Sequence, residues 1–450
     1  MGPDLAKCYR QDRLPRYTSY PTAPHFSSSV REVHYRTWLK SLPVQQPASI
    51  YLHVPFCRSM CWHCGRHTSV TKRDEPIAIY AAGLRTEAYL VAETVGQPLP
   101  ISHIHFGGGT PTIMTPETFA DLVGTLRYSF SVLPDAEIAV EIDPCRLTEP
   151  MAEALGYCGV NRASVGVQSF DFAVLRAINR LQSFEQTAIS VERLRRAGIG
   201  RINFDLLYGL PLQTVASCRD TVAKCLALNP DRFSVFGYAH IPSFKKHRRK
   251  IPGSTLPDSG EQYLQSEAIT EALIDAGYVR IGLDHFALPN DNLALAKQKR
   301  RLRRNFQGYT DDSADVLIGI GASAIGRMPH GFVQNAVATR GYLPRVAEDR
   351  LATVKGYILT EEDRFRADII ERIMCDMAVD LSQISRLHGK DPRSAIVDRS
   401  QIDHLIADGA VIMDGDQLYV SDGAEFLVRS VASVFDAHLA RSAASPGRAV

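Results

Sequence analysis

An α/β fold, with βα units repeated around a parallel sheet and a smaller extension at each end, is the fold class this sequence predicts. Three observations carry that expectation. From about residue 50, short β-branched apolar runs alternate with longer helical patterns, as the strands and helices of βα units do. Before residue 45 the chain is rich in Pro, Tyr, Ser and Thr (LPRYTSYPTAPHFSSS) without clear periodicity. After about residue 350 its character changes again, to helices and one hairpin.

The central segment supplies the strands. Runs 50–54, 101–106, 137–142, 162–167, 201–207 and 232–236 are each followed by a loop and then an amphipathic stretch, such as 116–126 or 184–197. Such repeats suit either an open or partial (β/α) barrel or a doubly wound sheet, and in both the ligands gather at the carboxyl ends of strands. Expected boundaries are an arm over 1–45, a catalytic domain over 46–345 and a C-terminal cover over 346–450. Within the cover, helices are expected over 361–376, 381–388 and 399–408, with a hairpin over 411–421 around Asp414-Gly415. That order is winged-helix-like. Its acids (Glu361, Glu362, Asp363, Asp376, Asp380, Asp403, Asp408) oppose a phosphate-facing surface, so it reads as a cover rather than a nucleic-acid reader.

Composition narrows the class further. At 450 residues, with 45% hydrophobic and 22% charged residues, the chain is an ordinary globular protein of more than one core. Lys plus Arg is 51 and Asp plus Glu 49, so no global field selects nucleic acid or an acidic membrane surface. The start, MGPDLAKCYRQDRLPRYTSYPT, has no apolar signal core, and no run reaches the ~20 residues of a membrane span. A cytoplasmic monomer off the membrane is the expectation. Nine cysteines, most of them scattered, do not form a secreted disulfide framework. Cys8, Cys145, Cys158, Cys218, Cys225 and Cys375 stand singly and read as ordinary thiols.

Cys57, Cys61 and Cys64 are different. Cys57-Arg-Ser-Met-Cys61-Trp-His-Cys64 directly follows the first strand, which puts three thiols in one loop at a strand's carboxyl end. A [4Fe–4S] cube normally takes four thiolates, so three would leave one iron open to a ligand. A structural zinc on Cys57, Cys61, Cys64 and His67 competes on spacing alone. Gly107-Gly108-Gly109-Thr110, after the second strand, would expose backbone N–H groups to a ligand. Alone, such a run is usually just a turn.

The Cys-x3-Cys-x2-Cys spacing after a first strand resembles the radical S-adenosylmethionine (SAM) superfamily. The likeness closes on one family through PRYTSYPTAPHF, YLHVPFCRSMCWHC, FGGGTPT, EIDP, GVQSF, INRLQ, FDLLYGLP, RFSVFGYAHIP, GLDHFALP, NFQGYT and GASAIG, in that order. Together these stretches resemble the oxygen-independent coproporphyrinogen III oxidases. The resemblance implies a partial (β/α)6 barrel with an N-terminal arm and a C-terminal cover. It implies a [4Fe–4S] cluster on Cys57, Cys61 and Cys64, and two SAM molecules. For the first, reductively cleaved SAM it points to Tyr51, Gly108, Glu141 and the His63 backbone. For the second it points to Gly109, Thr110, Gln168, Arg180, Asp205, Ala239 and Ile325. Glu141 and Asp205 end strands, where a carboxylate can accept from an ammonium or ribose, and Arg180 can pair with a carboxylate; singly, either acid could instead cap a helix.

The implied reaction converts two propionates of coproporphyrinogen III into vinyl groups, giving protoporphyrinogen IX. A SAM-derived 5′-deoxyadenosyl radical takes a β-hydrogen, carbon dioxide leaves, and an electron passes to an acceptor. The implied partners are a tetrapyrrole substrate and an electron donor such as flavodoxin or ferredoxin. Cations for the substrate's propionates are sought at Arg16 and in the basic runs 245–250 and 297–304, against the plain reading of such runs as solvated faces. Tyr17, Tyr20, Tyr208, Tyr238 and Tyr309 are candidates to flank a tetrapyrrole, although most tyrosines simply pack with a wet hydroxyl.

One position departs from the family pattern. Members usually continue as Cys-Gly-Cys, whereas this chain has Cys64-Gly65-Arg66. The missing thiol is not a cluster ligand, and Arg66 is free to contact a carboxylate instead. The departure keeps two other readings open at this stage: a related radical SAM reaction such as methyl transfer, and a haem-binding chaperone of the same superfamily.

Overall fold

In the computed structural model, residues 8–9, 14–43 and 45–441 are described. All six expected strands form: β1 (Ala48–Val54), β2 (Pro100–Gly108), β3 (Ser131–Ile142), β4 (Arg162–Gln168), β5 (Arg201–Tyr208) and β6 (Arg232–Gly237). They lie in that order and all pair in parallel. Their two faces differ sharply. Ile50, Leu52 and Val54 of β1 are almost fully buried with Tyr80, Leu84, Ala88 and Val91 of the helix α1 (Glu75–Val95), burying the apolar face under the helical layer. The alternate residues are polar and partnered: Ser49 donates to Asp312, Tyr51 and His53 bond to each other, and His53 also meets the His67 carbonyl, so the other side of the sheet is polar.

The sheet extends beyond the six strands, which the sequence did not reveal. Val316–Ile320 pairs in parallel with β1, followed outward by antiparallel Ile325–Met328, Gly331–Asn335 and Thr353–Ile358. On the other edge His285–Ala287 and Val279–Ile281 add to β6 in antiparallel fashion. The outermost strands do not pair with each other, so the barrel is partial. These added strands are only three to six residues long, too short for periodicity to mark.

The expected boundary at 345/346 needs correction. It falls inside the helix Thr339–Ala347, and Thr353–Ile358 still belongs to the main sheet. The C-terminal unit therefore begins at the helix Glu361–Asp376, capped by Thr360, whose hydroxyl accepts from the Asp363 N–H. Helices Leu381–His388 and Arg399–Ala407 follow, and strands Ala378–Asp380, Gln417–Val420 and Val411–Asp414 make a small antiparallel sheet in that spatial order. This is the winged-helix-like order expected.

The arm is structured over its described residues and tied down. Tyr17 and Tyr20 are buried in the apolar core of the C-terminal unit, and Tyr17 donates to Asp436 at 3.0 Å. Ser27 pairs with Gly356 on the outermost strand of the main sheet. Both rings pack in one apolar cluster with Ile369, Val428 and Val431, and both also line a second cavity, between the arm and residues 303–371. Tyr309 is buried as well and donates to the Met374 carbonyl at 2.7 Å. Among the described residues no helix is long and apolar enough to cross a membrane.

Candidate functional site

The carboxyl ends of β1 to β5 open into one cleft of about 220 Å³. Cys57, Cys61 and Cys64 stand on one wall with His63, and Gly108, Gly109, Thr110, Glu141, Gln168, Arg180 and Asp205 stand around them. Eleven of the fourteen expected site residues therefore meet in one place. Three do not line it. Tyr51 lies beneath, stacked on His105 at 5.8 Å between ring centroids, and a Cβ on Gly107 would come within 3.0 Å of its ring. The Ala239 carbonyl accepts from Arg248 at 2.6 Å. Ile325 lies in the extended strand beside Gly319.

Backbone geometry explains the glycine run. Gly108 has φ +112°, a conformation that side chains rarely adopt, and a Cβ there would lie 2.7 Å from the His53 ring. A Cβ on Gly109 would lie 2.5 Å from the Phe56 carbonyl oxygen, so the second strand's loop and the cysteine loop touch backbone to backbone. Thr110 then places its hydroxyl 3.4 Å from the Cys57 sulfur.

The centre of the cleft is charged. Arg66 Nη1 donates to both oxygens of Glu141, at 2.6 and 2.8 Å, and the Gly108 N–H donates to Oε2 at 3.2 Å. His105 Nε2 stands 3.6 Å from Oε1, outside hydrogen-bond distance but near enough for charge attraction. Burial alone would raise Glu141, but the Arg66 charge, aided by His105, holds its carboxyl at about 2. Asp205 shifts the other way: burial raises it, and Glu141 adds to the rise. It is held by Ser164 and Asn203 at 3.1 and 2.8 Å. Arg180 donates to the Gly166 carbonyl at 2.7 Å and reaches toward the Cys61 sulfur at 3.7 Å.

Burial pushes the Cys57 thiol up to about 11, so binding a metal there releases a proton. Among the described residues no three His, Cys, Asp or Glu side chains are drawn together at metal-ligand spacing; the thiols share a wall without converging on a point. His67, the fourth ligand of a zinc site, is not on that wall, and its carbonyl instead faces His53 Nε2 at 3.2 Å.

Sequence reasoning missed several participants. Cys145, read as an ordinary thiol, lines the same cleft, as do Asp143, Ser164 and Gly166. Asp143 carried a signal, being the last acid of EIDP one residue past a strand end. Cys145, a single cysteine far in sequence from the motif thiols, carried none. Outside the cleft's lining, the Nε groups of Arg248, Arg304 and Arg429 are buried without a hydrogen-bond partner. Arg16 is open to solvent yet walled by protein. Burial lowers its pKa, Asp284 opposes that, and the charges of Arg429, Arg304 and Arg248 add to the lowering. Arg16 thus lies within charge range of three other guanidinium groups.

The cysteine loop and the strands after it match the family model of the radical SAM superfamily over residues 51–225. The chain is 60% identical to the oxygen-independent coproporphyrinogen III oxidase of Bradyrhizobium diazoefficiens, over 98% of either chain. It belongs to the oxygen-independent coproporphyrinogen III oxidases. The family's enzyme from Paracoccus denitrificans is 42% identical over 95% of this chain and 94% of its own. The solved coproporphyrinogen III oxidase of Escherichia coli, described as a radical SAM enzyme, superposes with a TM-score of 0.89. It shares 34% identity and covers 94% of this chain and 97% of its own.

Like its family, the chain uses a [4Fe–4S] cluster and SAM. The residues present fit both groups. Three thiols are the donor set of an open-iron cluster, and the His63 Nδ1 beside them is buried without a partner. Across from them, a carboxylate, backbone N–H groups and a guanidinium offer partners to the charged amino-acid end of SAM.

Proposed function

We propose that this chain catalyses the oxygen-independent oxidative decarboxylation of two propionates of coproporphyrinogen III to vinyl groups, yielding protoporphyrinogen IX for haem biosynthesis. The observation that carries this reading is the single cleft in which the three thiols of one loop face Gly108–Thr110, Glu141, Arg180 and Asp205, on a chain that matches its relatives end to end.

When bound, the reduced cluster supplies the electron that splits SAM into methionine and a 5′-deoxyadenosyl radical. The residues of the chain do the rest by holding and excluding. Cys57, Cys61 and Cys64 hold the cluster. Tyr51, the His63 backbone, Gly108 and Glu141 serve the SAM that is cleaved; Glu141, ionised far below neutral pH, attracts its ammonium. Gly109, Thr110, Gln168, Arg180, Asp205, Ala239 and Ile325 serve a second SAM, with Asp205 accepting from a ribose. For Ala239 this requires its carbonyl to exchange Arg248 for the ligand.

Arg16 and its neighbours Arg248, Arg304 and Arg429 receive the substrate's propionates; the Nε groups of the last three are buried without a partner, and a guanidinium screened from water binds a carboxylate more strongly than an exposed one. The arm and the C-terminal unit, joined through Tyr17 and Tyr20, limit water at the mouth. The protein acts as a cytoplasmic monomer supplied with electrons by a flavodoxin or ferredoxin.

Anaerobic reconstitution with iron and sulfide, followed by SAM, a reductant and coproporphyrinogen III, tests the reading. Protoporphyrinogen IX together with 5′-deoxyadenosine is expected. Deoxyadenosine without the vinyl product would sink the substrate assignment, and stable haem binding without SAM cleavage would sink the activity.

A further inference from the structure

The run of residues 245–250, Lys-Lys-His-Arg-Arg-Lys, has two faces. One is turned to the barrel: Arg248 is 4% exposed and donates to the Ala239 carbonyl at 2.6 Å. The other is turned to solvent: Lys246, Arg249 and Lys250 are exposed. Among the described residues, no ion pair involves any of the five cations of this run. In a chain whose net charge is only +2, that is a local excess of positive charge without counter-charges.

The run is also fastened to the cysteine loop. His247 Nε2 lies 2.8 Å from the Cys64 carbonyl oxygen, and a Cβ on Gly65 would meet the Arg248 guanidinium at 2.7 Å. The Lys250 ammonium sits 5.5 Å from the centre of the Trp62 ring, between Cys61 and Cys64 in sequence. Phe244, at the run's start, is 48% exposed. An unpaired cationic strip with an exposed aromatic, one hydrogen bond from a thiol-bearing residue, is placed where an electron must enter.

We infer that the outward face of residues 245–250 is the docking surface for an acidic one-electron carrier protein that reduces the cluster. This rests on the cluster assignment proposed above and adds the place and the charge of the partner. Positive and negative patches steer such encounters and set their salt dependence, while small contacts allow rapid release. In the step itself the carrier loses one electron and the cluster gains one; no bond forms or breaks.

The experiment uses the reconstituted full chain and a reduced flavodoxin, with dithionite as the small reductant. The variant is Lys246→Glu with Arg249→Glu, two exposed residues that bear on neither the thiols nor the cleft. Flavodoxin binding, followed by fluorescence anisotropy, is expected to weaken about ten-fold at low salt and to lose most of its salt dependence. Flavodoxin-driven deoxyadenosine formation should fall in step, while the dithionite-driven rate stays unchanged. Unaltered flavodoxin affinity in the variant would overturn the docking surface, as would an equal loss of both rates. Equal affinity for a single-stranded oligonucleotide at the same salt would also count against it, marking the strip as a general anion binder. If the unmutated protein makes no deoxyadenosine with dithionite, the parent reading fails instead, and the inference with it.

Discussion

Arg66 Nη1 lies 2.6 and 2.8 Å from the two carboxylate oxygens of Glu141, the acid at the carboxyl end of β3. The residue that departs from the family's cysteine is thus not a bystander. It spans the cleft from the cysteine loop to the carboxylate proposed for the SAM ammonium, and its side chain remains 51% exposed to the cleft. An incoming ammonium must share Glu141 with Arg66 or displace it.

Arg66→Cys, which restores the family pattern, is therefore expected to bind SAM more tightly, by about ten-fold, because a competing cation leaves the carboxylate. Equilibrium dialysis on the reconstituted protein measures it. Unchanged or weaker SAM binding would show that Arg66 assists SAM rather than competing with it.

Replacing Cys57, Cys61 or Cys64 singly by Ser should abolish the broad ~400 nm absorbance of a reconstituted cluster, with iron content falling to near zero. The same variants should melt within a few degrees of the parent apoprotein, because the three thiols are only partly buried on a cleft wall and hold up no core. Full iron retention in any of them would remove that cysteine from the ligand set.

Arg16→Gln should raise KM for coproporphyrinogen about ten-fold and leave SAM affinity unchanged, since it faces Asp284, Arg304 and Arg429 rather than the thiols. Steady-state kinetics against substrate, with SAM binding measured separately, distinguishes the two effects. A change confined to SAM affinity would move Arg16 to the other end of the cleft.

Glu87 offers a pH test. It is fully buried in α1 and accepts from the Gly321 N–H, Tyr342 and Asn335, each at 2.7 Å, so it holds the segment leading to Ile325. Burial raises its pKa to about 7, only partly offset by those donors. Its folded pKa exceeds its unfolded one, so its contribution is complete below about pH 4.5 and is lost as pH rises toward 7. The difference in stability between the parent and Glu87→Gln should decline across that window and then level. A flat difference, from urea titrations at several pH values, would remove Glu87 as its source.

The six central strands and the three main helices of the C-terminal unit were legible because each is long enough for its apolar period to stand out. The short strands between Ile325 and Ile358 were not, since four to six residues of edge strand carry little pattern of their own and form because neighbouring strands offer them hydrogen-bond partners. The boundary at residue 345 failed for the same reason.

The cysteine triad, the glycine run and the strand-ending acids could be found in the linear chain because their chemistry is set by residue type and local spacing. Spacing says nothing about which distant side chains meet. Only the folded chain joins Arg66 to Glu141 across 75 positions, brings Cys145 to the cleft and turns residues 245–250 onto the Cys64 loop. Those contacts arise when parallel pairing lines up strand ends from remote segments, and charge and burial then act between groups the sequence keeps apart.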